Sequence, residues 1–178
     1  MTTPKPSVSD IQRAIRNIPD FPKPGIQFKD ITPVLADPRL FSASIELLTV
    51  GFEPGAVDAV VGIDARGFIL AAAAALRLQA GFVPVRKQGK LPYQTHEQEY
   101  DLEYGTATVA IHVDALHPGS RVLLIDDLLA TGGTAAAAAA LVGKLGATIL
   151  EISFLVELKS LGGRDRLRGH PVRSLVAY

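Results

Sequence analysis

Val122-Leu123-Leu124-Ile125-Asp126-Asp127-Leu128-Leu129-Ala130-Thr131-Gly132-Gly133-Thr134 is the stretch that decides how this chain folds. Residues 121–125 read as a buried strand that delivers two adjacent carboxylates to its C-terminal end. A short Thr/Gly-rich loop then opens a helix over 134–145, which Gly146 ends. In an open α/β sheet that end of a strand is where ligands sit. Residues 130–134 can aim several backbone N–H groups at one point, with the helix dipole behind them and the Thr131 and Thr134 hydroxyls alongside, which describes a phosphate cradle. Gly132 and Gly133 carry no Cβ, so the backbone can close on the anion. Asp126 and Asp127 would repel a phosphate, but they suit the two O–H donors of a vicinal ribose diol, and a bound Mg²⁺ would relieve the repulsion. A phosphorylated ribose satisfies both halves at once. The bland alternative is an ordinary strand–turn–helix, its glycines only turning the chain and its aspartates only capping the helix.

Outward from that stretch, strands alternate with helices. Short apolar runs at 59–63, 82–85 and 149–155 read as core strands, and 106–112 as a strand with alternating character. Residues 67–78 read as a helix whose five consecutive alanines, 71–75, allow close packing on a sheet, and 38–50 as another. Near the N-terminus, apolar residues at Ile11, Ala14, Ile15 and Ile18 predict a helix over 9–18, with Ser9 or Asp10 as its N-cap. Pro-Asp-Phe-Pro-Lys-Pro-Gly at 19–25 then forces an ordered loop, because fixed φ values leave little chain entropy to lose. Residues 86–104 are polar, show no sustained period of 2 or 3.6, and read as a flexible lid loop. The expected fold is one α/β domain over 1–178: a doubly wound, mainly parallel sheet, with a small N-terminal hood at about 9–35 and the lid at about 86–104.

Composition narrows the function. The chain has 178 residues, and 18 Lys plus Arg balance 18 Asp plus Glu, so no basic surplus serves non-specific nucleic-acid binding. With 48% hydrophobic residues it can bury a core, and about two-thirds of its surface should be lost on folding. The absence of cysteine excludes a disulfide framework, a thiolate metal site and a catalytic thiol. Residues 1–7 lack the apolar run of a signal peptide, and the apolar stretch 67–76 is too short to span a bilayer, so no membrane is expected and a cytoplasmic location is. No G-x-x-x-x-G-K-[ST] occurs, and no G-x-G-x-x-G follows a strand. His96-Glu97-Gln98-Glu99-Tyr100 opens like a zincin helix but lacks the second histidine.

Residues 125–134 resemble the phosphoribosyl-pyrophosphate (PRPP) signature of the type I phosphoribosyltransferases. Residues 19–33, Gly62-Ile63-Asp64-Ala65-Arg66-Gly67-Phe68, residues 86–92 and Leu102-Glu103-Tyr104-Gly105 extend the likeness to the branch of that family that uses adenine. It spans about 11–161, with four motifs in the family's order. The resemblance implies transfer of the 5-phosphoribosyl group of PRPP to adenine, forming AMP and pyrophosphate in purine salvage. It also implies a homodimer and Mg²⁺ held mainly by the substrate, with Asp126 reaching it through water.

By the same resemblance, Asp126 and Asp127 hold the ribose hydroxyls, and Ala130, Thr131, Gly132, Gly133 and Thr134 hold the 5′-phosphate. Ala65, Arg66 and Gly67 form the pyrophosphate loop, with Arg66 also counted as catalytic for its cationic fork. Arg86, Lys87 and Lys90 add positive charge as pyrophosphate leaves, or are simply solvated. Phe28 stacks on adenine, and the backbone at Gln27 and Lys29 meets its Watson–Crick edge; Lys29 stands where arginine is common in the family. Leu158 closes the apolar side of the base pocket or packs into the core. The related oxopurine enzymes place an aspartate where this chain has Ala130, so the acid that meets purine N7 falls to Glu103, with Tyr104 shielding the reaction or bonding the leaving group. Two other classes remain at this point: a phosphoribosyltransferase for another base, and a non-enzymatic PRPP sensor.

Overall fold

The computed structural model describes residues 4–101 and 105–178, in two compact units, 1–47 and 48–178.

In the first unit, helix α1 (Val8–Ala14) starts at a capping box: the Ser7 side chain accepts from the Asp10 N–H, and the Asp10 carboxylate accepts from the Ser7 N–H at 2.7 Å. The helix expected over 9–18 stops early, because Ile15 is extended (ψ 120°) and the next residues become a strand. Strand β1 (Arg16–Pro19) pairs antiparallel with β2 (Gln27–Asp30), Ile18 opposite Phe28. A partner strand ten residues on thus outweighs the helical spacing of Ile15 and Ile18, a tertiary override of local pattern. The intervening turn is ordered as expected: the Gly25 N–H donates to Asp20 Oδ1 at 2.8 Å. Helices α2 (Thr32–Ala36) and α3 (Pro38–Leu48) follow, α3 ending two residues before the expected 50.

The second unit is built on a seven-stranded sheet. Its strands are β3 (Ala59–Ile63), β4 (Gly81–Lys87), β5 (Thr95–Asp101), β6 (Thr106–His112), β7 (Arg121–Leu129), β8 (Thr148–Glu157) and β9 (Val172–Ala177), in spatial order β5-β6-β4-β3-β7-β8-β9. The pairs β3–β4, β3–β7, β7–β8 and β8–β9 are parallel, and β6 joins β4 and β5 antiparallel. Helix α4 (Gly67–Leu78) crosses from β3 to β4, and α5 (Gly133–Lys144) from β7 to β8. Alternate residues Ala59, Val61 and Ile63 of β3 share a core with Ala135, Ala138, Leu141 and Val142 of α5. Gly62 faces the other way, where a Cβ would lie 2.7 Å from Cβ of Ala71 on α4. The two helices therefore cover opposite faces, and the sheet is doubly wound.

Two departures from the sequence reading concern strands. Residues 95–101, inside the segment read as a flexible lid, form β5, paired with β6 from Thr95↔His112 to Asp101↔Thr106. Hydrophobic periodicity missed it because its alternation is between half-buried His96, Gln98 and Tyr100 and exposed Glu97, Glu99 and Asp101, all polar or amphipathic. Strand β9 was not expected; it adds to β8 in parallel.

Candidate active site

The chain leaves β3 for β4 on one side and β7 for β8 on the other, so the C-terminal ends of the neighbours β3 and β7 form the switch point of the sheet. There the two flanking connections diverge and leave a crevice. A cavity of about 470 Å³ opens at that place, lined by Asp64, Ala65 and Arg66 from the β3 end and by Asp126, Asp127, Ala130 and Thr134 from the β7 end. A smaller one of about 70 Å³ is lined by Asp126 and residues 128–135.

At the β3 end, the Asp64 N–H still donates to Val85 O at 2.9 Å, and the Asp64–Ala65 peptide bond is cis. Arg66 then caps α4, so the positive end of that helix starts beside the crevice that the Arg66 side chain lines; the Phe68 and Ile69 N–H groups turn back to Ala65 O and Arg66 O. Gly67 is required by close approach: a Cβ there would lie 2.5 Å from Asp126 Oδ1. At the β7 end, the strand runs on past the expected 125 to Leu129, because Asp126, Leu128 and Leu129 keep pairing with Phe154, Val156 and Glu157 of β8. Both acids thus sit on β7 itself, where pairing with β8 continues past the last β3 partner, Gly62↔Ile125.

Asp127 is buried, and its Oδ2 lies 2.6 Å from Arg66 Nε. Asp126 Oδ1 accepts from the Asp127 N–H at 2.9 Å. Burial first, and the Asp127 carboxylate second, push the Asp126 carboxyl well above the usual carboxylate range. The loop then turns through Gly132 (φ 81°), which caps α5, so the helix's unpaired N–H groups face the 70 Å³ cavity beside Thr131 and Thr134.

The other expected residues fall as follows. Lys87, last residue of β4, lines the larger cavity. Arg86 turns to Asp64 Oδ2 (3.4 Å) and donates to Lys90 O (2.9 Å); neither Arg86 nor Lys90 lines either cavity. Leu158 follows β8, its N–H donating to Leu129 O at 2.9 Å, and lines neither cavity. Glu103 and Tyr104 lie outside the described residues. In the first unit, Gln27, Phe28 and Lys29 lie side by side on β2. Half-buried Phe28 meets the Phe21 ring edge to face at 5.1 Å. Asn17 ties the flanking pair, donating to Gln27 Oε1 at 2.6 Å and accepting from Lys29 Nζ at 3.1 Å.

The sequence reading missed Tyr100, which lines the larger cavity from β5, with a ring carbon 3.1 Å from where a Cβ on Gly133 would stand. Counting charged against uncharged residues along 95–101 at period 2 would have placed it on the inner face.

Comparison with known proteins agrees with this geometry. The model of the phosphoribosyl transferase domain family matches residues 34–175. The chain is 60% identical over 162 residues to an adenine phosphoribosyltransferase of Acidothermus cellulolyticus, covering 91% of this chain and 92% of the relative. The crystal structure of adenine phosphoribosyltransferase from Rhodothermus marinus superposes with a TM-score of 0.91 at 52% identity, covering 96% of this chain and 98% of that one. The Saccharomyces cerevisiae enzyme, crystallised with adenine and an imino-altritol bisphosphate, gives 0.87 at 39% identity over 94% of this chain and 97% of its own. Likeness at this level over nearly the full length of both chains assigns the family: the chain belongs to the adenine phosphoribosyltransferases, on the type I phosphoribosyltransferase fold.

Proposed function

We infer that the switch-point cleft performs this family's reaction, transfer of the 5-phosphoribosyl group from PRPP to adenine with formation of AMP and pyrophosphate. The observation that carries the reading is the meeting of Arg66 from the β3 end with the Asp126–Asp127 pair, Ala130 and Thr134 from the β7 end around one cavity. One end is cationic at the start of a helix, as a diphosphate leaving group needs; the other offers the aspartate pair and a second helix start, as a 5-phosphoribosyl group needs.

The chemistry breaks the bond between C1′ and the diphosphate oxygen, whose electron pair leaves with pyrophosphate. The electron-poor C1′ then takes an electron pair of adenine N9, and the ring proton that N9 bond formation releases passes to water. Arg66 and the N–H groups of 65–67 stabilise the charge growing on the leaving oxygen, with Lys87 adding to the field. Asp126 and Asp127 fix the ribose through its hydroxyls, and Ala130, Thr131, Gly132, Gly133 and Thr134 anchor the 5′-phosphate, so C1′ is held in line. Phe28 gives adenine an aromatic face, with the backbone of Gln27 and Lys29 at its edge and Leu158 on its apolar side. Glu103 meets N7, Tyr104 shields the reaction, and Arg86 and Lys90 supply charge as pyrophosphate departs.

Among the described residues no group of three or more His, Asp or Glu side chains is placed to hold a metal ion. The two aspartates therefore fit Mg²⁺ only as minor partners to substrate oxygens, with Asp126 through water; when bound, the ion would neutralise diphosphate charge. The enzyme acts as a cytoplasmic homodimer, a reading supported by the family resemblance. Among the described residues no helix is long and apolar enough to cross a membrane.

Pyrophosphate release from PRPP and Mg²⁺ with adenine, hypoxanthine, guanine, xanthine or orotate in separate reactions tests the function. Release with adenine alone, together with AMP, is the expected outcome. Release with another base refutes the base assignment, and silence with PRPP bound refutes catalysis.

A further inference from the structure

A short 3₁₀ turn, Gly163–Leu167, presses on the outside of the phosphate loop. The contact is backbone against backbone. A Cβ on Gly132 would lie 2.3 Å from Gly163 O, and a Cβ on Gly163 would lie 2.2 Å from Ala130 O and 2.8 Å from Leu129 Cδ1. Only glycine at both positions permits this approach.

Arg164 holds the turn in place. Its Nε and Nη2 each donate to a Glu157 carboxylate oxygen at 2.8 Å, and its Nη1 donates to Val172 O at 2.9 Å. Glu157 is 4% exposed and sits opposite Leu129 in the β7–β8 register, one residue before the loop begins. Hydrogen bonding from Arg164 first, with Ser174 and the Lys159 charge assisting, holds the Glu157 carboxyl below the usual range, so the buried group stays ionised with the Arg164 fork as its main partner. The next arginine, Arg166, brings Nη1 within 3.8 Å of where a Cβ on Gly133 would stand, at the start of α5.

We propose that Arg164, acting through Glu157, is a positioning residue for PRPP: it clamps Gly163 against the loop 130–133 and so fixes the curvature with which that loop grips the 5′-phosphate. The proposal rests on the phosphoribosyl reading of the cleft. Its physical content is preorganisation, since a loop already held in the binding curvature loses less freedom when the phosphate arrives. Adenine, which makes no contact with this loop in that reading, should be indifferent to the clamp.

Three variants test it, read by steady-state kinetics in both substrates, by direct PRPP titration and by melting temperature. Arg164→Lys keeps the charge but loses the fork. Gly163→Ala keeps the ion pair and forces the turn off the loop. Asp58→Asn, at the opposite end of the sheet, is a control that loosens the fold without touching the loop. The first two should raise the KM and Kd for PRPP roughly ten-fold or more, as small misplacements of a binding group do. The KM for adenine should hold, and Asp58→Asn should lower the melting temperature with PRPP affinity unmoved. Should Arg164→Lys fail to fold, Gly163→Ala decides alone. Unchanged PRPP affinity in Gly163→Ala, with the wild type active, overturns the proposal; so does a loss in Asp58→Asn equal to that in the other two. A wild type that makes no AMP overturns the functional reading itself, and the clamp's assignment to PRPP with it.

Discussion

Arg66 Nε lies 2.6 Å from Asp127 Oδ2, joining the ends of two neighbouring parallel strands across the switch point of the sheet. Arg66 comes from the turn after β3 and Asp127 from the last part of β7, so the fold itself brings a guanidinium beside a buried carboxylate, the pair proposed to meet the diphosphate and the ribose diol. A diphosphate entering the cleft would compete with Asp127 for the guanidinium. Arg66→Lys keeps a charge but loses the planar fork, and kcat/KM for PRPP should fall by about a hundred-fold or more. Initial rates at varied PRPP measure this; a fall of less than three-fold would remove Arg66 from the transition state.

Gly67 leaves no space for a side chain, its Cβ position lying 2.5 Å from Asp126 Oδ1. Gly67→Ala should cost about 1–3 kcal/mol of stability as an overpacked site. It should also displace Asp126 and weaken PRPP binding. Thermal melts and PRPP titration together check this, and a variant with wild-type affinity would detach Asp126 from the ribose.

At the N-terminal ends of the central strands β3 and β7, Arg121 donates to both carboxylate oxygens of Asp58, at 2.8 and 3.2 Å. Hydrogen bonds from its side chain and its backbone N–H hold Asp58 down to about 2, from an ordinary 3.8. A depressed carboxyl contributes stability that is complete above its unfolded value and is lost as pH falls through its folded value. Asp58→Asn should therefore melt lower than wild type by a steady margin near neutral pH, and the margin should shrink between about pH 4 and about pH 2. Melts across that range are the check; a margin independent of pH would mean the ion pair is not its source.

Phe28, edge to face with Phe21 at 5.1 Å, is held in one orientation by its neighbour. A base stacked on an aromatic ring gains roughly 1–3 kcal/mol, so Phe28→Ala should raise the KM for adenine roughly ten- to hundred-fold. The KM for PRPP should stay put, and a rise in both constants would assign Phe28 to the fold and not to the base.

Much of the fold was legible because its strongest signals are local. Residues 59–63 and 67–78 emerged with the bounds of β3 and α4, since an apolar run flanked by charge and an alanine-rich stretch each need only their own sequence. The strand that carries the acid pair, the glycine turn and the helix after it were legible for a like reason: they follow one another in one short window. Where pairing comes from a distant segment, local pattern failed. Ile15 and Ile18 kept helical spacing while residues 16–19 paired with 27–30, and 95–101 hid a strand whose alternation uses polar residues.

By itself, then, the sequence determined the chemistry available at each strand end: carboxylates at 126 and 127, the arginine at 66, glycines at 67 and 132. Only the tertiary structure decided which of these meet. Parallel pairing of β3 with β7 is a contact between segments far apart in the chain, and it alone brings Arg66 to Asp127. The same holds for the meeting of Gly163 with the loop 130–133 and of Tyr100 with Gly133. Propensity and patterning act over a few residues, whereas a site is made by packing across the whole sheet.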